Sequence, residues 1–307
     1  MTDCINPLVS IITPTYNRAD YIENTIKSVL EQSYNNIEYI IVDGCSTDST
    51  VDLLDKYKHQ DARLDYISEN DYGMYDAINK GFKLAKGEIL AYINSDDLYT
   101  PGVLNEVVNY FNKHPEIDVV YGDTLVIHSN MKTVHINMYM PKPENWLRAG
   151  GIIAQPTVFM RRACWDNIGN LKKDVQYLGD CEYWLRLINH GYRLGKINEI
   201  LAIELNHENT LRNTMKQKID DEKIYLRNKY WPDYFMSENL RALLLFSRKL
   251  LTPAWHIYFI LKVNFGLKNG SWSNFINNYN PKANLGYYIV NKLFKCNHDV
   301  WRINIPQ

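Results

Sequence analysis

Four acidic positions in this 307-residue chain stand where side chains do chemistry. Asp96 and Asp97 close an apolar run, Glu88 to Ile93, that reads as a buried strand. Adjacent carboxylates at a strand end make an oxygen site for a hard divalent cation, Mg2+ or Mn2+, completed by substrate phosphates. Asp43 closes a second such run, Ile37 to Val42. Asp180 opens a helical pattern, Asp180 to Leu187. There a carboxylate either caps the helix or acts as a general base, with Glu182 as rival for the second role. A rim of carboxylates repels a bare diphosphate unless a cation lies between them. The phosphate-cradling glycine patterns G-x-G-x-x-G and G-x-x-x-x-G-K-[ST] are missing after the first apolar run, and so is G-x-S-x-G. Dinucleotide redox, P-loop ATPase and elbow-serine hydrolase chemistry thereby lose their main support.

The elements that must position these acids alternate with little slack. Leu8 to Thr13 reads as a buried strand stopped by Pro14, and Leu64 to Ile67 as another. Between the strands, Ile22, Ile26 and Val29 recur at helical spacing. Val51, Leu54 and Tyr57 do the same after Ser46 or Thr47 as cap, and Ala77, Ile78 and Phe82 mark a third helix. Strands separated by such helices predict right-handed βαβ units in a doubly wound, mostly parallel α/β sheet. Ligands of such sheets bind beyond the carboxyl ends of the strands, so Thr13 to Arg18, Asp43-Gly44 and Ser95 to Asp97 are expected on one rim. After Pro101 the pattern predicts a mixed second half: a helix from Val103 to Phe111, strands at Val119 to Tyr121 and Pro156 to Met160, then the Asp180 helix.

Leu8 to Arg18 (LVSIITPTYNR), Ile40 to Thr50 (IIVDGCSTDST) and Gly87 to Leu98 (GEILAYINSDDL) resemble successive motifs of family 2 glycosyltransferases of the GT-A fold. Ser68 to Gly81 (SENDYGMYDAINKG) is similar to a bacterial branch of that family, and the resemblance extends over roughly residues 7 to 210. It implies an inverting transfer of a sugar from a nucleotide-diphosphate donor, with UDP favoured, to an acceptor hydroxyl. Carried over by position, Thr13, Pro14, Thr15 and Tyr16 would line the base pocket, and Asp43 would accept a hydrogen bond from the base. Asp96 would contact ribose or sugar, and Asp97 would hold Mn2+ or Mg2+. Asp71 and Tyr72 would contact the donor sugar or form a turn; Lys80 would offset phosphate charge or remain a solvated helix lysine. Gly179 to Arg186 resembles the family's acid-containing motif, which makes Asp180 the catalytic base. Gly179 departs from it, since many members carry Glu there. His207 in IELNHEN would reach the diphosphate or metal, and Arg161 or Arg162 would face phosphate.

Charge divides the chain. From Leu240 to Gln307 there are nine Lys or Arg and one acid, Asp299, which leaves 25 basic against 34 acidic residues before it. Residues 1–237 are therefore expected to form the transferase domain and 238–307 a helical, basic and aromatic extension. Leu243 to Phe246 and Leu250-Leu251 alternate with Arg241, Arg248 and Lys249, as in a helix lying in a membrane interface. On that reading the acceptor is a lipid-linked saccharide of a bacterial surface polysaccharide. The alternative is a helical subdomain packed on the body. No apolar run is long enough to span a membrane, and no leader pattern opens the chain. Five cysteines without a C-x-x-C pair suggest a reducing, cytoplasmic setting, and the membrane-interface reading of the tail would make the protein peripheral on the inner face of the plasma membrane. An acidic body with no nucleic-acid-reading motif argues against nucleic-acid binding. Two other functions remain open at this point: a catalytically silent GT-A scaffold and a sugar nucleotidyltransferase. The latter normally carries a Gly-rich basic loop where Pro14 to Asn17 stands.

Overall fold

A computed structural model describes residues 6–128, 133–137, 147, 153–206, 214–230 and 303–304. Its first half is built as the apolar runs require. Strand β1 (Val9–Thr15) lies between β2 (Ile37–Asp43) and β4 (Ile89–Tyr92), and β2 carries β3 (Leu64–Ser68) on its far side; all three pairings are parallel. Pro14 does not end β1. The β4 partner stops at Tyr92, opposite Ile12, so beyond that point β1 has hydrogen-bonded register only with β2. A proline lacking its N–H is tolerated there, as on a sheet edge.

Alternation along the strands feeds two cores. Val9 and Ile11 of β1 and Tyr39 and Ile41 of β2 face helices α1 (Ile22–Leu30), α2 (Thr50–Gln60) and α4 (Val103–Lys113). Ile12, Ile40 and Val42 face the opposite way. They pack with α3 (Met74–Leu84), α5 (Arg162–Ile168) and α6 (Gly179–Asn189). Fully burying each such Ile, Leu or Val is worth about 1.5–3 kcal/mol, which fixes strand register and helix face together. Helix α2 begins at Thr50 rather than at Ser46 or Thr47, because Ser46 is held by Asp43 and Asp48 takes the Thr50 N–H at 3.0 Å.

Beyond β4 the sheet becomes mixed. β8 (Phe159–Arg161) joins β4 antiparallel and leads to β6 (Val119–His128), β7 (Thr133–Asn137) and β10 (Ile303–Asn304). β9 (Leu194–Asn206) pairs with β6 in parallel and with the short β5 (Leu98–Tyr99) antiparallel. The expected strand at Pro156 is instead a 3-10 turn, Gln155–Thr157, with its strand starting only at Phe159. Helix α7 (Lys216–Tyr230) follows. Among the described residues no helix is long and apolar enough to cross a membrane. The expected domain limit at 237 and the basic, aromatic helical extension lie outside the described residues, apart from the backbone of β10.

Candidate active site

The carboxyl ends of β1 and β4 open into one cleft of about 700 Å³, a size suited to a ligand larger than a monosaccharide. Pro14, Thr15, Tyr16 and Arg18 line it from β1, Asn94 to Asp97 from β4, and Asp71 and Gly73 from the turn after β3. Tyr177, Leu178 and Asp180 enter from the start of α6, and Glu204 from β9.

Asp97 lies at the acidic end and is almost wholly buried. Thr25 of α1 donates to its main-chain carbonyl at 2.9 Å, and Asn94 Nδ2 donates to its carboxylate at 3.2 Å. Burial pushes the Asp97 carboxyl well above the ordinary range, and the charges of Asp96 and Glu204 push it the same way. No cation among the described residues offsets these effects, and the donor set there is all oxygen. Among the described residues no three acidic, His or Cys side chains form a ready cage. The donors therefore fit a hard cation held by one or two carboxylates and completed by substrate oxygens. His207 lies outside the described residues.

Asp180 stands in the first turn of α6, and the local N–H donors are all accounted for. Glu222 of α7 accepts from the backbone of Gln176, Tyr177 and Leu178 at 2.8, 2.9 and 2.8 Å. Tyr75 Oη accepts from Gly179 at 2.9 Å and, more distantly, from Asp180 at 3.4 Å; Asp180 Oδ1 accepts from Cys181 at 2.8 Å. This helix start is therefore no anion cradle. The Tyr75 ring also explains Gly179, since a Cβ there would lie 2.6 Å from Tyr75 Cε2. Burial, and next the Asp180 charge, raises the Tyr75 phenol well above its usual range, so it stays neutral. Glu182 is removed as a rival base. It is fully buried, pairs with Arg186 at 2.8 Å and Lys172 at 3.2 Å, and accepts from the Tyr230 hydroxyl.

Several sequence assignments move. Thr13 does not reach the cleft; its hydroxyl is buried against that of Tyr39 at 2.9 Å. Asp43 is fully buried, accepting from the Ser46 N–H at 2.9 Å, the Ser68 hydroxyl at 2.6 Å and the Ser46 hydroxyl. It organises the turn after β2 and does not line the cleft. Lys80 is held by the Asn70 carbonyl at 2.6 Å and Glu69 at 2.8 Å, which directs it away from a diphosphate role. Arg161 donates to the Ile117 carbonyl at 2.9 Å and Arg162 to that of Gly87 at 2.7 Å, so both brace backbone. Tyr72 is exposed, with Lys173 over its ring. Cleft residues to which the sequence reading gave no role of their own are Arg18, Tyr75, Tyr92, Gln155, Glu204 and Lys223. Arg18, Tyr75, Tyr92 and Glu204 sat inside the quoted motifs, whereas Lys223 carried no local signal.

A model described as "Glycosyl transferase family 2" matches residues 10–165. The putative teichuronic acid biosynthesis glycosyltransferase TuaG of Bacillus subtilis is 33% identical over 203 residues, covering 64% of this chain and 78% of that protein. A PGL/p-HBAD biosynthesis glycosyltransferase of Mycobacterium bovis is 28% identical over 217 residues, covering 69% and 82%. Among solved structures, residues 1–349 of S. aureus TarS superpose with a TM-score of 0.58 at 19% identity, covering 88% of this chain and 79% of that one. The same TarS fragment has also been solved with UDP-GlcNAc. The mannosyltransferase PcManGT of Pyrobaculum calidifontis, in complex with GDP-Man and Mn2+, gives 0.56 at 17% identity over 94% and 88%. The motifs at the strand ends, the GT-A arrangement of the sheet and the 156 matched residues agree: this chain belongs to glycosyl transferase family 2.

Proposed function

We propose that the chain is an inverting glycosyltransferase that moves a sugar from a UDP-sugar to a hydroxyl of a saccharide acceptor. The observation that carries this reading is that one cleft is lined both by the Asp96–Asp97 pair and by Asp180. In the proposed step the acceptor oxygen attacks the anomeric carbon, Asp180 takes that hydroxyl's proton, and the bond from the sugar to the diphosphate breaks in line. Asp97, with Asp96 beside it, would hold a divalent cation, Mn2+ or Mg2+. When bound, the cation neutralises charge developing on the diphosphate. The complexes of TarS with UDP-GlcNAc and of PcManGT with GDP-Man and Mn2+ support a nucleotide-sugar donor and a cation.

The names of the TuaG and mycobacterial relatives support a role in making a cell-surface glycan. The basic and aromatic composition of residues 238–307 supports a lipid-linked acceptor met at a membrane surface. The test is turnover of a panel of nucleotide sugars with Mn2+ or Mg2+, read as nucleoside diphosphate release and anomeric configuration of product. Asp180→Asn is expected to lower kcat by about 10²- to 10⁴-fold while UDP still binds. Wild-type turnover by that variant would remove Asp180 as the base. A product that retains the donor's configuration would refute the single displacement.

A further inference from the structure

The segment 169–178 joins α5 to α6 and contains neither helix nor strand. Its course decides where Asp180 stands, and side chains from other elements hold it. Arg186 of α6 donates to the Ile168 and Asn170 carbonyls at 3.1 and 2.7 Å. Helix α3 supplies further holds from one face, since positions 75, 76 and 79 of a helix fall within about 100° of one another. Asp76 takes the Lys173 ammonium at 2.5 Å, and Tyr75 Oη takes the Gly179 N–H. Asn79 makes two bonds to a single residue. Its Nδ2 donates to the Leu171 carbonyl at 2.9 Å, and its Oδ1 accepts from the Leu171 N–H at 2.9 Å. Gly81 seats this helix on the sheet, because a Cβ there has no room against Ile12 of β1.

These holds are unequal. Lys173 is half exposed, so water competes for its ion pair with Asp76. Asn79 and Leu171 are each 2% exposed, so losing either bond leaves a buried group without a partner. Two bonds through one planar amide fix the Leu171 peptide in direction as well as position. The Leu171 side chain packs in the same core as Leu178, Cys181 and Trp184, which carries that restraint to the start of α6. Asn79 itself does not line the cleft. We propose that Asn79 is a positioning residue for acceptor activation: by clasping Leu171 it sets the path of 171–178 and hence the place of the Asp180 carboxylate. This rests on Asp180 as the base and goes beyond it in naming a residue, outside the cleft, on which that base depends.

The test is a double-mutant cycle of Asn79→Ala and Asp180→Asn in the full chain. It is read as UDP release from UDP-glucose or UDP-GlcNAc with Mn2+, water serving as the acceptor. Asn79→Ala alone is expected to lower kcat by about 10- to 100-fold. UDP affinity by calorimetry should stay within about 2-fold, since Tyr16 and the Asp96–Asp97 pair stand on other elements. In the Asp180→Asn background the same substitution should cost less than about 2-fold, because residues that act as a unit are not additive. Asn79→Ser, which keeps one hydroxyl for Leu171, should fall between, and it carries the cycle if the alanine variant melts below the assay temperature. An equal loss in both backgrounds would show a merely structural role and overturn the assignment, as would a loss of UDP affinity in proportion to kcat. Wild-type turnover by Asp180→Asn, or no UDP release by the wild type from either donor, would instead overturn the reading on which the assignment rests.

Discussion

Removing the Glu222 carboxylate should slow transfer without loosening the nucleotide. Glu222 holds three successive N–H groups, at 2.8, 2.9 and 2.8 Å, immediately before the helix that carries Asp180. A hydrogen bond to a charged group is worth about 1.5–3 kcal/mol. The Gln176 bond is exposed, so water replaces it; those of Tyr177 and Leu178 are partly buried and are not fully replaced. Glu222→Ala therefore costs the hold on this loop about 2–4 kcal/mol. A displacement of about 1 Å at a reacting group costs on the order of 100-fold in rate, so kcat should fall about 10- to 100-fold. UDP affinity with Mn2+ should stay within about 2-fold, because Tyr16 and the Asp96–Asp97 pair are built on other elements. Glu222→Gln, which keeps one acceptor oxygen, should fall between. Steady-state kinetics, UDP titration and hydrogen exchange of amides 176–178 together decide the matter. Faster exchange at those amides with an unchanged kcat would refute the reasoning. So would a loss of UDP affinity in proportion to kcat.

Asp97→Asn should raise the Tm of the metal-free protein. The folded pKa of Asp97 is raised, so the folded state binds more protons than the unfolded one and apo stability falls as pH climbs through that range. A neutral amide removes that cost, worth about 2–4 °C per kcal/mol in a domain of this size. The same variant should lose Mn2+-dependent protection by UDP; a lower apo Tm near neutral pH would contradict the sign. Gly179→Ala should cost about 1–3 kcal/mol and reduce kcat, as its Cβ meets the Tyr75 ring at 2.6 Å. Wild-type melting and turnover would show that the contact relaxes freely. Flotation with anionic vesicles should capture the full chain and not one ending at Ser237, and equal capture of both would end the membrane-surface reading of the tail.

The βαβ half was legible because its strands are short, largely apolar runs and its helices repeat at 3.6 residues. The convergence of Thr15, Tyr16, Asp96 and Asp97 followed from one topological rule, ligands beyond the carboxyl ends. What sequence could not supply was side-chain reach between distant elements. Asp71 meets Gly44 only because β3 lies beside β2 with Ser68 opposite Asp43. Glu222 meets residues 176–178 across more than forty positions, with no local pattern to announce it. The choice between Asp180 and Glu182 was closer to hand. Residues two apart on a helix are separated by roughly 200°, so only one of them can face the cleft, and Glu182 is the one buried between Arg186 and Lys172. The strand expected at Pro156 failed for a local reason: Pro156 sits at the start of a 3-10 turn, where a missing N–H costs nothing.

The position of Glu222 bears on how such enzymes can be recombined. The family match ends at residue 165, yet the helix carrying Asp180 starts at Gly179 and its mooring lies on Lys216–Tyr230. A graft of residues 10–165 onto a relative would carry Tyr16 and the Asp96–Asp97 pair and leave the host's own counterpart of Asp180 in place. A graft that stopped short of Tyr230 would import Asp180 without the helix that moors it. On the proposed reading the donor side and the proton acceptor lie on consecutive stretches of chain that meet between α5 and α6, and Tyr75, which holds Gly179, ties the second stretch to the first.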